Sequence, residues 1–294
     1  MFFWACDYSA STGEGRLGRL YIKEQKKIFN FQYLRVELPK LKIFNYKYLV
    51  PFVGVLIAWI YFFKNKRFIY LNYLPYWNFL IFLLLPPNCK IGPITGGANF
   101  SKKTNDYLIR KFFFPILYSL SNIVLIFRFD SLVFSTALLK KKLPIKILKK
   151  SKFNFIFSSI NNIEKKNNEF KSKDINFLFY FRKHRNKEYA FPFTLIDKLI
   201  SKNYSINIIG DKINVKGVKN YGYISHKKVM KLLQKTKYSI VSNENIFSFF
   251  TIDCINNSVR LLVDSRTYNS IKSFKKNFIK FNFNLNNLNN LKIK

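Results

Sequence analysis

Between residues 175 and 265 short apolar segments alternate with helix-length amphipathic ones, and few architectures accept that order. INFLFYF (175 to 181) predicts a strand, residues 190 to 202 a helix, and YSINIIGD (204 to 211) a strand ending in Gly-Asp. VKNYGYI (218 to 224) predicts another strand, and Ser225 an N-cap for the helix HKKVMKLLQKTK. YSIVSNEN (238 to 245) is the next strand with its exit loop. IFSFFTIDCIN then predicts a helix and VRLLVDS (259 to 265) a strand. Strands separated by single helices make parallel βαβ units, whose ligands sit beyond the carboxyl ends of the strands. Arg182, Gly210, Asp211 and Glu244 fall at such ends. From Lys275 onward no period is visible, so that segment predicts a weak helix or a frayed end.

The first half is built differently. Residues 1 to about 135 are aromatic and apolar, and two runs stand out: 49 to 63, short of a bilayer crossing, and 68 to 87, long enough but interrupted by Asn72, Pro75 and Asn78. Each fits a buried strand, a buried helix or a membrane-facing helix better than a true span. The basic stretch KKKLPIKILKKSK (140 to 152) comes next, then FNFIFSS (153 to 159), which fits a strand, and a polar loop over 161 to 174. This composition shift predicts two domains, 1 to 150 and 151 to 294.

Fifty-one Lys and Arg against fifteen Asp and Glu give a net charge of +36. That excess serves nucleic acid, an anionic membrane surface or a phosphorylated substrate equally well. Aromatic residues at 19% keep base stacking open as an alternative, as does a non-catalytic membrane accessory role. Cys6, Cys89 and Cys254 are far apart, which predicts free thiols in a reducing compartment and no metal site. The amino-terminal residues do not read as a signal peptide, which predicts the cytoplasmic side.

Four stretches carry candidate chemistry. YFRKHRNK (180 to 187) puts Arg182, Lys183, His184, Arg185 and Lys187 in a strand exit, where Arg offers a planar fork and Lys a mobile charge to a diphosphate. SNEN places Glu244 at a later exit, able to accept hydrogen bonds from sugar hydroxyls, with Asp253 in the following helix. GGAN (96 to 99) fits a tight backbone crossing or a plain turn, and His226 fits a structural or exposed position. STGEG places Gly13, Glu14 and Gly15 before the predicted helix GRLGRLYIKEQKK. With Gly18 the glycine spacing matches a dinucleotide fingerprint, but Glu24 comes too early for its acidic residue.

The order FLFYFRKHRNK, INIIGD, VKNYGYISHKKVMKLLQKTKYSIVSNEN, FSFFTID resembles the donor-binding domain of GT-B glycosyltransferases, in particular the retaining group 1 (family 4) enzymes of bacterial surface-polysaccharide assembly. FIYLNYLPYWNF and GPITGG resemble segments of the same enzymes, and STGEG their acceptor-domain loop. The resemblance implies two Rossmann-like domains facing across a cleft, an acceptor domain followed by a nucleotide-sugar domain. It implies that Arg182 and Lys187 hold the donor diphosphate, that Glu244 positions the donor and Asp253 supports it, and that Gly13, Glu14, Gly15 and Gly210 line the binding site. The chain lacks the usual glycine before the arginine and the Lys-Gly pair; its second carboxylate is Asp rather than Glu, one residue later than usual. The implied reaction passes a sugar from a nucleotide-diphosphate donor to a glycan or lipid-linked acceptor with retention, without metal or other cofactor. Asp7 and Asp130 stay open as alternative bases. The implied location is peripheral, on the cytoplasmic face of the inner membrane, with an anionic lipid surface rather than nucleic acid as partner.

Overall fold

A computed structural model describes residues 1–29, 31–37, 49–96, 107–160, 173–183, 188, 191–241, 245–269 and 271–281. The chain divides into two compact units, Met1–Ser159 and Ile160–Lys294.

In the first unit β1 (Phe2–Trp4), β2 (Leu34–Arg35), β3 (Phe68–Tyr70) and β4 (Lys90–Ile91) form a parallel sheet of order β2-β1-β3-β4. Trp4 stands opposite Tyr70, and Tyr70 opposite Ile91. Isolated bridges at Pro75–Thr95 and Ile94–Phe134 carry the sheet toward a further parallel pair, β5 (Leu132–Val133) and β6 (Ser151–Lys152). Because side chains alternate along a strand, Phe3, Ala5, Ile69 and Leu71 face one side and Trp4, Phe68 and Tyr70 the other. Helix α1 (Gly13–Ile28) covers the first side with Tyr21 and Ile22. The second side is covered by α2 (Val50–Phe63), α3 (Phe79–Leu84), α4 (Tyr107–Arg128) and α5 (Ile145–Lys149). Proline near the start of α2 suits its first turn. Gly54 lets α2 sit on the sheet, since a Cβ there would lie 2.4 Å from the Trp4 ring.

Two expectations for this half change. Residues 68 to 87 are neither a span nor a helix: they are β3, a turn holding the buried Asn72, and the six-residue α3. Asn72 and Pro75 interrupt the apolar run because the strand ends before them. FNFIFSS is not a strand; Phe155–Ser159 is a 3-10 turn, with Phe155 N donating to Phe134 O at 3.1 Å. The basic stretch is folded into this unit, and Lys150 Nζ donates to the final carbonyls of α4, including Leu125 O at 2.8 Å and Ile126 O at 2.7 Å. Burial pulls the Lys150 ammonium below its ordinary value, against the nearby charge of Asp130.

The second unit follows the predicted alternation: β7 (Ile175–Phe181), α6 (Phe193–Ser201), β8 (Ile206–Gly210), β9 (Val218–Asn220), α7 (His226–Gln234), β10 (Thr236–Ile240), α8 (Phe249–Asn256), β11 (Arg260–Asp264), α9 (Ser265–Tyr268) and β12 (Phe278–Phe281). All six strands are parallel in the order β12-β11-β10-β7-β8-β9, the doubly wound arrangement. Ser225 caps α7, accepting from Lys228 N, and Ser248 caps α8, accepting from Thr251 N. Strand β9 stops at Asn220, four residues before the predicted end, and β10 starts at Thr236, two residues early. The segment after Lys275 contains a strand. β12 pairs with β11 from Leu261–Phe278 to Asp264–Phe281, and an edge strand four residues long leaves no period in the sequence. The polar loop residues 161–172 and Gly97 to Asn99 lie outside the described residues.

Candidate functional site

Strand order reverses between β7 and β10 in the second unit, so the crevice at their carboxyl ends is where a doubly wound sheet takes its ligand. Gly210, at the end of β8, has φ +96°, and a Cβ there would lie 2.1 Å from Phe181 O. Only glycine brings β8 that close to the end of β7. Directly after it, Asp211 N donates to Phe181 O at 3.0 Å, while Asp211 Oδ2 accepts from Lys183 N at 2.6 Å and from Tyr223 Oη at 2.9 Å. The Asp211 carboxylate thereby fixes the backbone that carries Arg182, whose side chain is exposed. Burial first, and then the hydrogen bond to Asp211, raise the Tyr223 phenol above its ordinary value.

Asp253 lies one turn into α8 and is buried, with Oδ2 3.1 Å from His226 Nε2 at the start of α7. It ties the start of α7 to the body of α8 rather than standing free at the sheet edge. His226, expected to be structural or exposed, has its ring tied to that carboxylate while about a third of its side chain stays accessible. Lys187 and Glu244 lie outside the described residues, as do His184 and Arg185.

The first unit has its own cluster at the carboxyl ends of β1 and β3. Asn72 Nδ2 donates to Asp7 O and, at 3.4 Å, to Glu14 O, and Asn72 Oδ1 accepts from Asp7 N at 3.3 Å. The Asp7 carboxylate accepts from Ser9 N at 2.8 Å and from the Thr12 hydroxyl. Thr12 in turn caps α1, accepting from Gly15 N at 3.0 Å. Gly13-Glu14-Gly15 is therefore the first turn of α1 and not a glycine-rich loop ahead of it. Neither glycine has a positive φ. Gly15 is required by close packing, since a Cβ would fall 2.2 Å from Ser9 O, whereas the corresponding position at Gly13 is open. Glu14 is largely buried; burial pushes its carboxyl up, opposed by the Tyr73 N–H that it accepts. Its Oε2 has no hydrogen-bond partner among the described residues. Burial, then Asp7 and Glu14, push the Cys6 thiol up to about 12, so it is no nucleophile. Among the described residues no cluster of His, Cys, Asp or Glu is arranged to hold a metal ion.

No family model matches the sequence, and no curated protein matches it. Solved structures do match. A glycosyltransferase from Rickettsia africae ESF-5 is 12% identical with a TM-score of 0.50, over 90% of this chain and 78% of that one. The two units are those of a GT-B fold. Other GT-B-like neighbours are more distant in shape: Anabaena Alr3699/HepE in complex with UDP-glucose is 9% identical with a TM-score of 0.47, over 90% of this chain and 79% of its own. The UDP-GlcNAc 2-epimerase of Methanocaldococcus jannaschii, in complex with UDP-GlcNAc and UDP, is 11% identical with a TM-score of 0.47, over 96% and 88%.

Sequence reasoning placed Arg182 and Gly210 correctly at strand ends of this GT-B chain. Asp211 also falls at the strand end where the sequence put it, and His226 is both structural and part-exposed; what the sequence did not show is that Asp211 joins Lys183 N to Tyr223, and that His226 pairs with Asp253. The Gly-Asp at the end of INIIGD was the available signal for the first; the two aromatic and imidazole partners come from loop and helix-start positions that carry no pattern.

Proposed function

We propose that the protein is a glycosyltransferase, moving a sugar from a nucleotide-diphosphate donor to a hydroxyl of a glycan or lipid-linked acceptor. The observation that carries this reading is the Asp211-pinned loop at the strand-order reversal, which holds Arg182 exposed at the end of β7. A guanidinium there offers a fork to a diphosphate whose charge grows as the glycosidic bond breaks. Lys187 adds a second cation, and Glu244 accepts from donor hydroxyls. Asp253, through His226, holds the start of α7 against α8. The first unit supplies the acceptor side, through the open Gly13 position and the Glu14 carboxyl, whose Oε2 is buried.

Retention is the proposed outcome. The donor carbon loses its bond to the phosphate oxygen and gains one to the acceptor oxygen on the same face, and the acceptor proton leaves with the diphosphate. No histidine precedes His184 in the chain, so the first unit offers no imidazole base, and Asp7 is engaged by Ser9 and Thr12. The resemblance of the sequence to group 1 enzymes is what favours a place for the reaction in bacterial surface-polysaccharide assembly. The test is nucleotide-diphosphate release from a panel of nucleotide sugars, with and without polyprenyl-diphosphate-linked and free oligosaccharides. Release that depends on acceptor supports transfer. Conversion of the sugar without any acceptor contradicts it.

A further inference from the structure

Helix α4 has its polarity reversed for a surface helix. Tyr118, Ser121 and Leu125 form its inner line, packed on the same core as Trp4 and Tyr70. The opposite arc carries Leu108, Phe112, Ile116, Leu120, Ile123 and Phe127, spaced at three or four residues over nearly the whole helix, and all exposed. Phe127 is 81% exposed and Phe112 60%. Water-facing arcs are normally polar, and this strip runs the length of a 22-residue helix, about 33 Å; a contiguous exposed apolar strip marks an interaction surface. The neighbouring helices extend it: α3 packs on α4 and on α2, presenting Leu80, Leu83 and Leu84, while α2 adds Ile60 and Phe63.

Cations frame this face. On α4 itself exposed Lys111 lies over the Phe112 ring, its Nζ 5.5 Å from the centroid; on the inner flank Lys142 Nζ lies 5.4 Å from the Tyr118 ring, with Lys140 and Lys141 exposed next to it in the chain and Lys146 exposed on α5, which packs against α4. Lys64, Lys66 and Arg67 follow directly after Phe63. The apolar window Arg110–Arg128 is long enough to cross a bilayer, and only 17% of it is buried, so it is not an interior helix. It is not free to cross either. Asn122 accepts from Tyr76, Lys150 caps the last carbonyls, and the Arg128 guanidinium donates to Phe82 O at 3.2 Å, all anchoring it lengthwise to the unit.

The geometry points to α4 and its neighbours α2 and α3 as a docking face for an anionic lipid bilayer, with α4 lying in the plane of the interface. Apolar side chains enter the acyl boundary and the lysines meet the headgroups, the pairing of forces that holds monotopic helices. This use of the first unit is separate from sugar transfer and stands or falls without it.

The test is co-sedimentation of the full chain with phosphatidylcholine vesicles, with and without phosphatidylglycerol. Binding is expected only with the anionic lipid, and to be released by high salt or alkaline carbonate. F112E/F127E is expected to lower partitioning about tenfold or more, and K140E/K141E/K142E to remove the preference for anionic lipid. Circular dichroism and urea denaturation of the variants report that each is folded. Unchanged partitioning of folded F112E/F127E overturns the proposal. Resistance to carbonate overturns the in-plane geometry. A dimer in sedimentation velocity that the same substitution dissociates, with no vesicle binding by the parent, assigns the face to a second copy instead.

Discussion

His226 Nε2 and Asp253 Oδ2 lie 3.1 Å apart, joining the first residue of α7 to the middle of α8 in the second unit. The carboxylate is buried and the imidazole partly covered, so the pair fixes the start of α7 against the middle of α8. His226→Ala is expected to lower stability by about 1 kcal/mol, read as a shift in the urea midpoint with unchanged slope. Asp253→Ala is expected to cost more, because it opens a hole among buried groups and strips every contact of the carboxylate. Equal stability of the parent and D253A would contradict this bracing role.

Gly210 tests the geometry under Arg182. Its φ of +96° and the 2.1 Å approach to Phe181 O leave no room for a side chain. Gly210→Ala is expected to destabilise the second unit by about 2 kcal/mol or more, since both strain and a backbone clash must be relieved. The same substitution at Gly13, where nothing lies within 4 Å, is expected to be tolerated. Chemical denaturation of both variants compares the two glycines directly.

Glu14 gives a pH-dependent signature. Its carboxyl is raised from an ordinary 4.5, chiefly by burial, so the folded state binds the proton more tightly than the unfolded state. Stability attached to this group is full below 4.5 and declines as pH rises through the raised folded value. Glu14→Gln keeps the shape and an acceptor for Tyr73 N–H but cannot ionise. Relative to the parent, the variant is expected to gain stability steadily from acid toward neutral pH in thermal melts. A stability difference that does not change with pH contradicts a raised Glu14.

The second unit was legible because parallel strands buried on both faces are continuous apolar runs, and Ser225 and the Gly-Asp after INIIG punctuate them. The first unit was harder. Its strands are two or three residues long, and the apolar content of FIYLNYLPYWNFLIFLLLPP is divided between β3, a turn and α3, so hydropathy merges what the backbone separates. STGEG looked like a loop because two glycines flank Glu14, yet Thr12 already caps the helix and Gly15 serves its contact with Ser9. The α4 face was not legible because an apolar stripe along a helix reads as a core-facing one, and only the packing of Tyr118 and Leu125 on the core shows that the stripe from Leu108 to Phe127 points outward.

The central claim is that the exposed guanidinium at the end of β7 receives a donor diphosphate. The measurement that bears on it most directly is calorimetric titration of a nucleotide-diphosphate sugar panel into the parent protein and into Arg182→Ala. At least one donor is expected to saturate the parent, and the variant is expected to bind it about tenfold or more weakly while its denaturation curve stays the same. A folded parent that binds none of the donors, or a variant that binds them as tightly as the parent, contradicts the account.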